Sequence, residues 1–364
     1  MVPSFFLAGF ECSTHRRADG ARLDLVRSTG HEAAVLADYR ACAELGLSGV
    51  RDGLRWHLIE TAPGVYDWSS WLPMLEAAAK AGVEVVWDLF HYGAPDHLDQ
   101  GGEPLPDAFA RFAAEAARVH RAATGKPLLA TPVNEISFFA WAVSTGYFPP
   151  AGPEAPGGFK RQLVRAGLKA VAAIREADPG CRIAWAEPLI HVAPAPGGDA
   201  AAAAAAREAQ FEAMDLILGL EEPELGGSAD AADLIGVNFY PENQWQHGGG
   251  AIPLGHPDYR PLAALLEEAW RRYGKPLYIA ETGAHGSARP AWLHYVCDEV
   301  REAQARGVPV EGICLYPVTF YPRWHDDHAC AVGLFGSIDA AGPRPVDAAL
   351  AAELARQQGL FACR

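Results

Sequence analysis

The chain has 364 residues, 50% of them hydrophobic, and a formal net charge of −15. That length can bury a large core in one barrel domain, and the acidity argues against nucleic acid or an anionic membrane surface as partner. No apolar run approaches the ~20 residues of a membrane helix. The seven cysteines are scattered and form no CxxC pair, so they read as reduced packing residues. The segment Met1 to Glu11 has neither a basic n-region nor an A-x-A site. A first strand is expected there rather than a secretory signal, and a cytoplasmic protein overall.

In chain order, short apolar runs predict strands at Phe5 to Glu11, Gly49 to Leu54, Val83 to Leu89, Leu128 to Glu135, Arg182 to Glu187, Leu234 to Tyr240, Leu277 to Glu281 and Gly312 to Pro317. Longer amphipathic, alanine-rich stretches predict helices between them, at Glu32 to Leu45, Ser70 to Ala81, Asp107 to Ala123 and Phe159 to Ala177. Further helices are expected at Ala200 to Leu218, Leu262 to Tyr273, Ala291 to Arg306 and Val346 to Gln358. Gly46, Gly82 and Gly274 each follow a helix, where a glycine stop belongs. Eight βα units in succession predict an α/β chain folded as a single (β/α)8 TIM barrel, with residues 1–364 as one catalytic domain. Pro149 to Gly158 and Gly248 to Pro257 read as Pro/Gly-rich loops.

Barrel chemistry sits where the strands end. Two apolar runs, Leu-Ala-Thr-Pro-Val-Asn134-Glu135 and Leu-Tyr-Ile-Ala-Glu281-Thr-Gly, finish abruptly in a glutamate on the fourth and seventh strands. A carboxylate is costly at such a place unless it has a partner or a task. The alternative is a pair of structural carboxylates tied to barrel arginines. The other strand ends are polar and aromatic too: Glu11, Arg51, Arg55, Asp88, His91, Glu187, Asn238 and Tyr240. Such a ring reads as a substrate pocket.

The ordered set of motifs resembles the retaining β-glycosidases of glycoside hydrolase clan A, and family 1 within it. The matching stretches are Gly49-Val-Arg51 with Trp56 and Pro63-Gly64-Val-Tyr-Asp-Trp68, then Asp88-Leu-Phe-His91, then Asn134-Glu135 with Trp141 and Thr145-Gly146-Tyr-Phe-Pro149. Asp233-Leu-Ile-Gly-Val-Asn238-Phe-Tyr240 and Glu281-Thr-Gly-Ala complete it. The resemblance implies Glu281 as nucleophile, Glu135 as acid/base, Arg51, Asn134 and Tyr240 as their supports, and His91 as a sugar contact. It implies a carbohydrate substrate and no cofactor or metal. The chain departs from the family where the sugar is read. His15 and Arg16 replace a glutamine, Tyr92 a tryptophan, Tyr316-Pro317 a Trp-Ser pair, and Arg323-Trp324 a Glu-Trp pair.

Retention of configuration needs two carboxyl groups about 5–5.5 Å apart, one attacking C1 and one protonating the departing oxygen. Arg51 would favour ionised Glu281, Tyr240 would donate to it, and Glu135 would stay protonated. The expected function is a retaining hydrolase of a small β-glycoside or oligosaccharide. The competing reading is a carbohydrate-binding or regulatory barrel without turnover. The substrate-binding set is Arg51, His91, Asn134, Asn238, Tyr240, Trp324, Arg323, His15 and Arg16. Arg16 and Arg323 carry a sharper hypothesis, an anionic glycon such as a uronic acid or phosphorylated sugar, against a reading as solvent-exposed loop residues. His325-Asp326-Asp327-His328 has the residue types of a metal site, but adjacent loop ligands rarely converge on one ion. The sequence assigns neither sugar nor oligomeric state.

Overall fold

The computed structural model describes residues 2–150, 158–326, 328–338 and 343–363. Its eight long strands are β1 (Phe6–Gly9), β2 (Gly49–Gly53), β3 (Glu84–Phe90), β4 (Leu129–Val133), β5 (Arg182–Pro188), β6 (Leu234–Asn238), β7 (Leu277–Thr282) and β8 (Val310–Leu315). Each pairs in parallel with its neighbours in sequence, and β1 closes on β8. This is a closed (β/α)8 barrel, with every expected strand in its expected place.

Helices α1 (His31–Glu44), α2 (Leu72–Ala81), α3 (Pro104–Thr124), α4 (Gly158–Ala177), α5 (Ala200–Glu208), α6 (Leu262–Tyr273), α7 (Arg289–Ala305) and α8 (Ala348–Ala362) wrap the outside. Gly46, Gly82 and Gly274 adopt positive φ of 76°, 71° and 64° just past their helices, a conformation that costs other residues their Cβ clearance. The stretch expected as one helix over Ala200 to Leu218 is broken, ending at Glu208 and resuming as Glu212–Ile217. The break lets Gln210 turn inward. Its side chain accepts from the Ile190 backbone at 2.8 Å and donates to the Arg207 carbonyl at 2.7 Å. Most of the Pro149 to Gly158 loop lies outside the described residues.

The core has two layers. Alternate strand residues such as Leu7, Val86, Ala184, Ala186, Tyr278 and Ala280 fill the barrel interior, while their neighbours Trp87, Ile183, Trp185 and Ile279 pack outward under the helices. No helix among the described residues is long and apolar enough to cross a membrane.

A buried ion network pins α1 to β2 and to the segment before α8. His31 sits 2.7 Å from Asp38 and 2.8 Å from Asp52, stacked on Phe10, while Arg344 donates to Asp38 at 2.8 Å. Burial disfavours the imidazolium, but Asp52 and Asp38 outweigh it and raise the His31 pKa to about 9. A raised histidine contributes stability fully below its unfolded value of about 6.5, and loses it as pH climbs through the folded value. Unfolding free energy should therefore fall by about 3 kcal/mol between pH 6.5 and 9 through this group. Urea titrations of the native protein and His31→Gln at both pH values check it. A native protein whose pH dependence matches that of the variant contradicts it.

Candidate active site

Arg51, projecting inward from β2, is fully buried and satisfies all five of its N–H donors. Nε and Nη2 grip the two oxygens of Asp88 at 2.9 and 2.8 Å. Nη1 donates to Glu281 Oε1 at 2.8 Å and to the Ala280 carbonyl at 3.1 Å. The remaining donor, on Nη2, reaches Asn134 Oδ1 at 2.7 Å. The guanidinium also lies over the Tyr316 ring, 5.3 Å from its centroid. One cation thus joins residues from β2, β3, β7 and the end of β4.

Both glutamates reach the site through a departure from regular geometry. Tyr278 and Ala280 face the interior, so strict alternation would send Glu281 outward. Register shifts after Ile279, against both β6 and β8, change its aim. Glu135 has a left-handed backbone, φ 46° and ψ 61°, which costs a non-glycine residue energy and turns its side chain toward the barrel mouth. Glu281 Oε2 accepts from the Tyr240 hydroxyl at 2.8 Å. Glu135 accepts from the Tyr92 hydroxyl at 2.6 Å and from Asn238 Nδ2 at 2.8 Å. The two carboxyls therefore differ in one decisive respect: Glu281 is hydrogen-bonded to a guanidinium, and Glu135 only to neutral groups.

Burial raises both carboxyls. Glu281 is pulled back by Arg51 and raised again by Glu135, while Glu135 is raised further by Glu187 against the hydrogen bonds from Tyr92 and Asn238. Arg51 opposes that rise at Glu281, whereas the hydrogen bonds at Glu135 come from neutral groups alone.

His91 is buried, 2.9 Å from Asp88 through Nδ1 and 3.1 Å from Asn134 Nδ2 through Nε2. Asn134 also donates to the Tyr92 hydroxyl at 3.0 Å, so each of its amide hydrogens has a protein acceptor. Cys12 lies 3.2 Å from His91, and its sulfur, Asp88 and His91 gather their donor atoms within 4.8 Å of one another. Arg51 already supplies the positive charge at Asp88, so this cluster reads as a hydrogen-bond network rather than a cation cage.

An aromatic wall rises beside Tyr92. His15 stacks on Phe148 with centroids 4.0 Å apart and meets Trp324 edge-on at 4.8 Å. Burial drives the His15 pKa down to about 3, so the ring is neutral. A cavity of about 310 Å³ runs between His15, Arg16, Tyr92 and Gln100, and another of about 230 Å³ between His15, Phe148 and Trp324. Tyr92, whose hydroxyl touches Glu135, links the larger cavity to the carboxyl pair.

Arg51, His91, Asn134, Asn238, Tyr240, Glu135 and Glu281 are brought together as the sequence suggests. Arg16 and Arg323 each hold an aspartate partner. Arg16 is ion-paired with Asp96 at 2.8 Å and Arg323 with Asp326 at 3.0 Å, both on exposed loops. Arg55 turns away to Asp24 and Glu32, and Glu11 accepts the Ser13 N–H in its own turn. His325 bonds the Tyr147 hydroxyl at 2.6 Å, away from its neighbours in the His-Asp-Asp-His run, of which Asp327 lies outside the described residues. Sequence reasoning missed Cys12 and the role of Tyr92 as a bridge between Asn134 and Glu135. No sequence signal marks either, because both act through contacts made across the barrel mouth.

No protein-family model and no curated protein matches this sequence. Solved structures do. A β-glycosidase is 22% identical with a TM-score of 0.72, over 91% of this chain and 87% of that one. A family 1 β-glucosidase from Thermotoga maritima is 15% identical with a TM-score of 0.75, over 97% and 96%. A β-glucosidase from Thermotoga maritima in complex with glucoimidazole gives 16% and 0.76, over 98% and 97%. The chain thus shares the barrel fold of these β-glucosidases.

Removing Arg51 leaves Asp88 and Glu281 buried without a cation. Arg51→Met should cost about 3–5 kcal/mol. Arg51→Lys should recover little of it, because an ammonium has three donors where five are used. Denaturant unfolding of both variants measures this, and a loss under about 1 kcal/mol for Arg51→Met contradicts the clamp.

Proposed function

We propose that the protein is a retaining β-glycoside hydrolase acting on a small β-glycoside or oligosaccharide, with residues 1–364 as one catalytic domain. The observation that carries this is the asymmetry of the two buried carboxyls, with a guanidinium on Glu281 and only neutral donors on Glu135. The fold shared with β-glucosidases supports it, though barrels host many chemistries and the site must make the case.

In the first step a carboxylate oxygen of Glu281 forms a bond to C1 as the bond from C1 to the leaving oxygen breaks. The proton on Glu135 passes to that leaving oxygen. Arg51 and Tyr240 hold the nucleophile in place and let its charge drain into the ester without rotating. Once Glu281 is esterified its charge is gone, and Glu135 falls in pKa. It then takes a proton from water as the water oxygen attacks C1 from the leaving-group side, restoring the β configuration and freeing Glu281. Asn134 sits beside this pair as a donor to a ring hydroxyl, its amide exchanging the Tyr92 contact for the sugar while His91 Nε2 holds the other amide hydrogen. Trp324, backed by Phe148, offers a flat face to a sugar ring.

The glycon is read as neutral, because an anionic one would have to displace Asp96 from Arg16 or Asp326 from Arg323. The cysteines, all unpaired, fit a reducing compartment such as the cytoplasm. One observation favours a binding barrel without turnover instead: the Tyr92 hydroxyl already bridges Asn134 and Glu135.

A panel of nitrophenyl and alkyl β-glycosides, including uronides and 6-phosphoglycosides, separates these readings. The native protein should turn over neutral glycosides. Glu281→Ala should lose at least about a thousandfold while still binding. Glu135→Ala should lose about 10²–10⁴-fold on alkyl glycosides and much less on nitrophenyl ones, whose leaving group departs without a proton. Binding without turnover by the native protein would support the binding barrel, and preference for charged sugars would restore the anionic glycon.

A further inference from the structure

Glu187 has no part in the chemistry just described, yet it is built into the same corner. It follows Ala186 on β5, whose carbonyl accepts the Glu135 backbone N–H at 2.9 Å. Its Oε2 accepts the Ser137 N–H at 3.1 Å, on the first turn of the helix Ile136–Ser144. The cap position of that helix is Glu135 itself, which provides no side-chain cap because its carboxyl faces Tyr92 and Asn238. Glu187 is 6% exposed, and the Ser137 hydroxyl and the Ile136 N–H also face its carboxyl. Capping alone would be served by a serine, threonine or aspartate within the helix's own chain. A buried carboxyl reaching across from another strand is an expensive substitute.

We infer that Glu187 is a positioning residue for the acid/base. It supplies the missing cap that holds Glu135 in its left-handed conformation, and it sets a third buried carboxyl beside Glu135 whose charge keeps the proton there. This rests on the reading of Glu135 as acid/base.

The surroundings leave that charge little else to act on. Lys160 of α4 faces Glu187 but is paired with Glu212 at 2.5 Å. Tyr273 faces it from α6, and on the other side it faces Glu135, which in turn meets Tyr92, His91 and Glu281. Burial raises Glu187 to about 7. It therefore ionises as the pH climbs through neutrality, where a general acid begins to lose its proton, and each increment of its charge opposes that loss.

The test compares the native protein with Glu187→Gln, which keeps an oxygen for the Ser137 N–H and removes the charge, and Glu187→Ala, which removes both. In Glu187→Gln the upper limb of the kcat/KM pH profile should move about one unit toward acid. Glu187→Ala should show that shift and a lower kcat as well. The Glu135 carboxyl is also titrated directly by carbon-13 NMR, assigned with Glu135→Gln, in native protein and Glu187→Gln. That measurement does not depend on turnover, so a protein inactive on every substrate sinks the hydrolase reading without deciding this one. An unshifted Glu135 titration, or an active Glu187→Gln with an unmoved limb, overturns the inference.

Discussion

The structure of the site depends on how one buried guanidinium spends its five donors. Arg51 is an expensive group to bring to the centre of a barrel, and only a full set of acceptors makes it tolerable. Asp88 takes two donors in a fork, and Asn134, Glu281 and the Ala280 carbonyl take the rest. Those partners fix positions at once on β3, β7 and the end of β4. The same cation that offsets the buried Asp88 carboxylate is also what sets Glu281 apart from Glu135. If the proposed hydrolysis holds, structural and chemical roles meet in this one interaction, and its loss is felt in stability as well as in turnover.

The irregular backbone at the two glutamates follows from the same constraint. A parallel barrel strand alternates its side chains between interior and helix layer, and a regular β7 would bury Glu281 outward beneath α7. A register shift is the smallest local change that brings it to Arg51. Glu135 uses a left-handed residue instead. The strain is held by contacts around it, with the Ala186 carbonyl on its N–H and Asn238 and Tyr92 on its carboxyl.

These features mark the border of what the sequence makes legible. All eight strands could be read because apolar runs and glycine stops are local signals, and the two glutamates because each interrupts such a run. Arg51, Asn134 and Tyr240 followed from the ordered motif set. The bulge in β7, the Tyr92 bridge and the cap by Glu187 were not legible, since each is a contact between distant strand ends with no local pattern. The break at Gln210 hid in an alanine-rich stretch that favours helix throughout. The aspartate partners of Arg16 and Arg323 were not legible either, since they lie on surface loops, where pairing is set by loop geometry that composition does not encode.

The central claim, that Arg51 holds Glu281 as an ionised nucleophile, is tested most directly by trapping. A 2-deoxy-2-fluoro β-glycoside with a dinitrophenolate leaving group slows the second step more than the first, so a retaining enzyme accumulates its glycosyl ester. Digestion and mass spectrometry should then place one fluorosugar on the peptide carrying Leu277–Thr282, at Glu281. A label on any other residue, or turnover of the parent glycoside to an inverted sugar without labelling, would contradict the account.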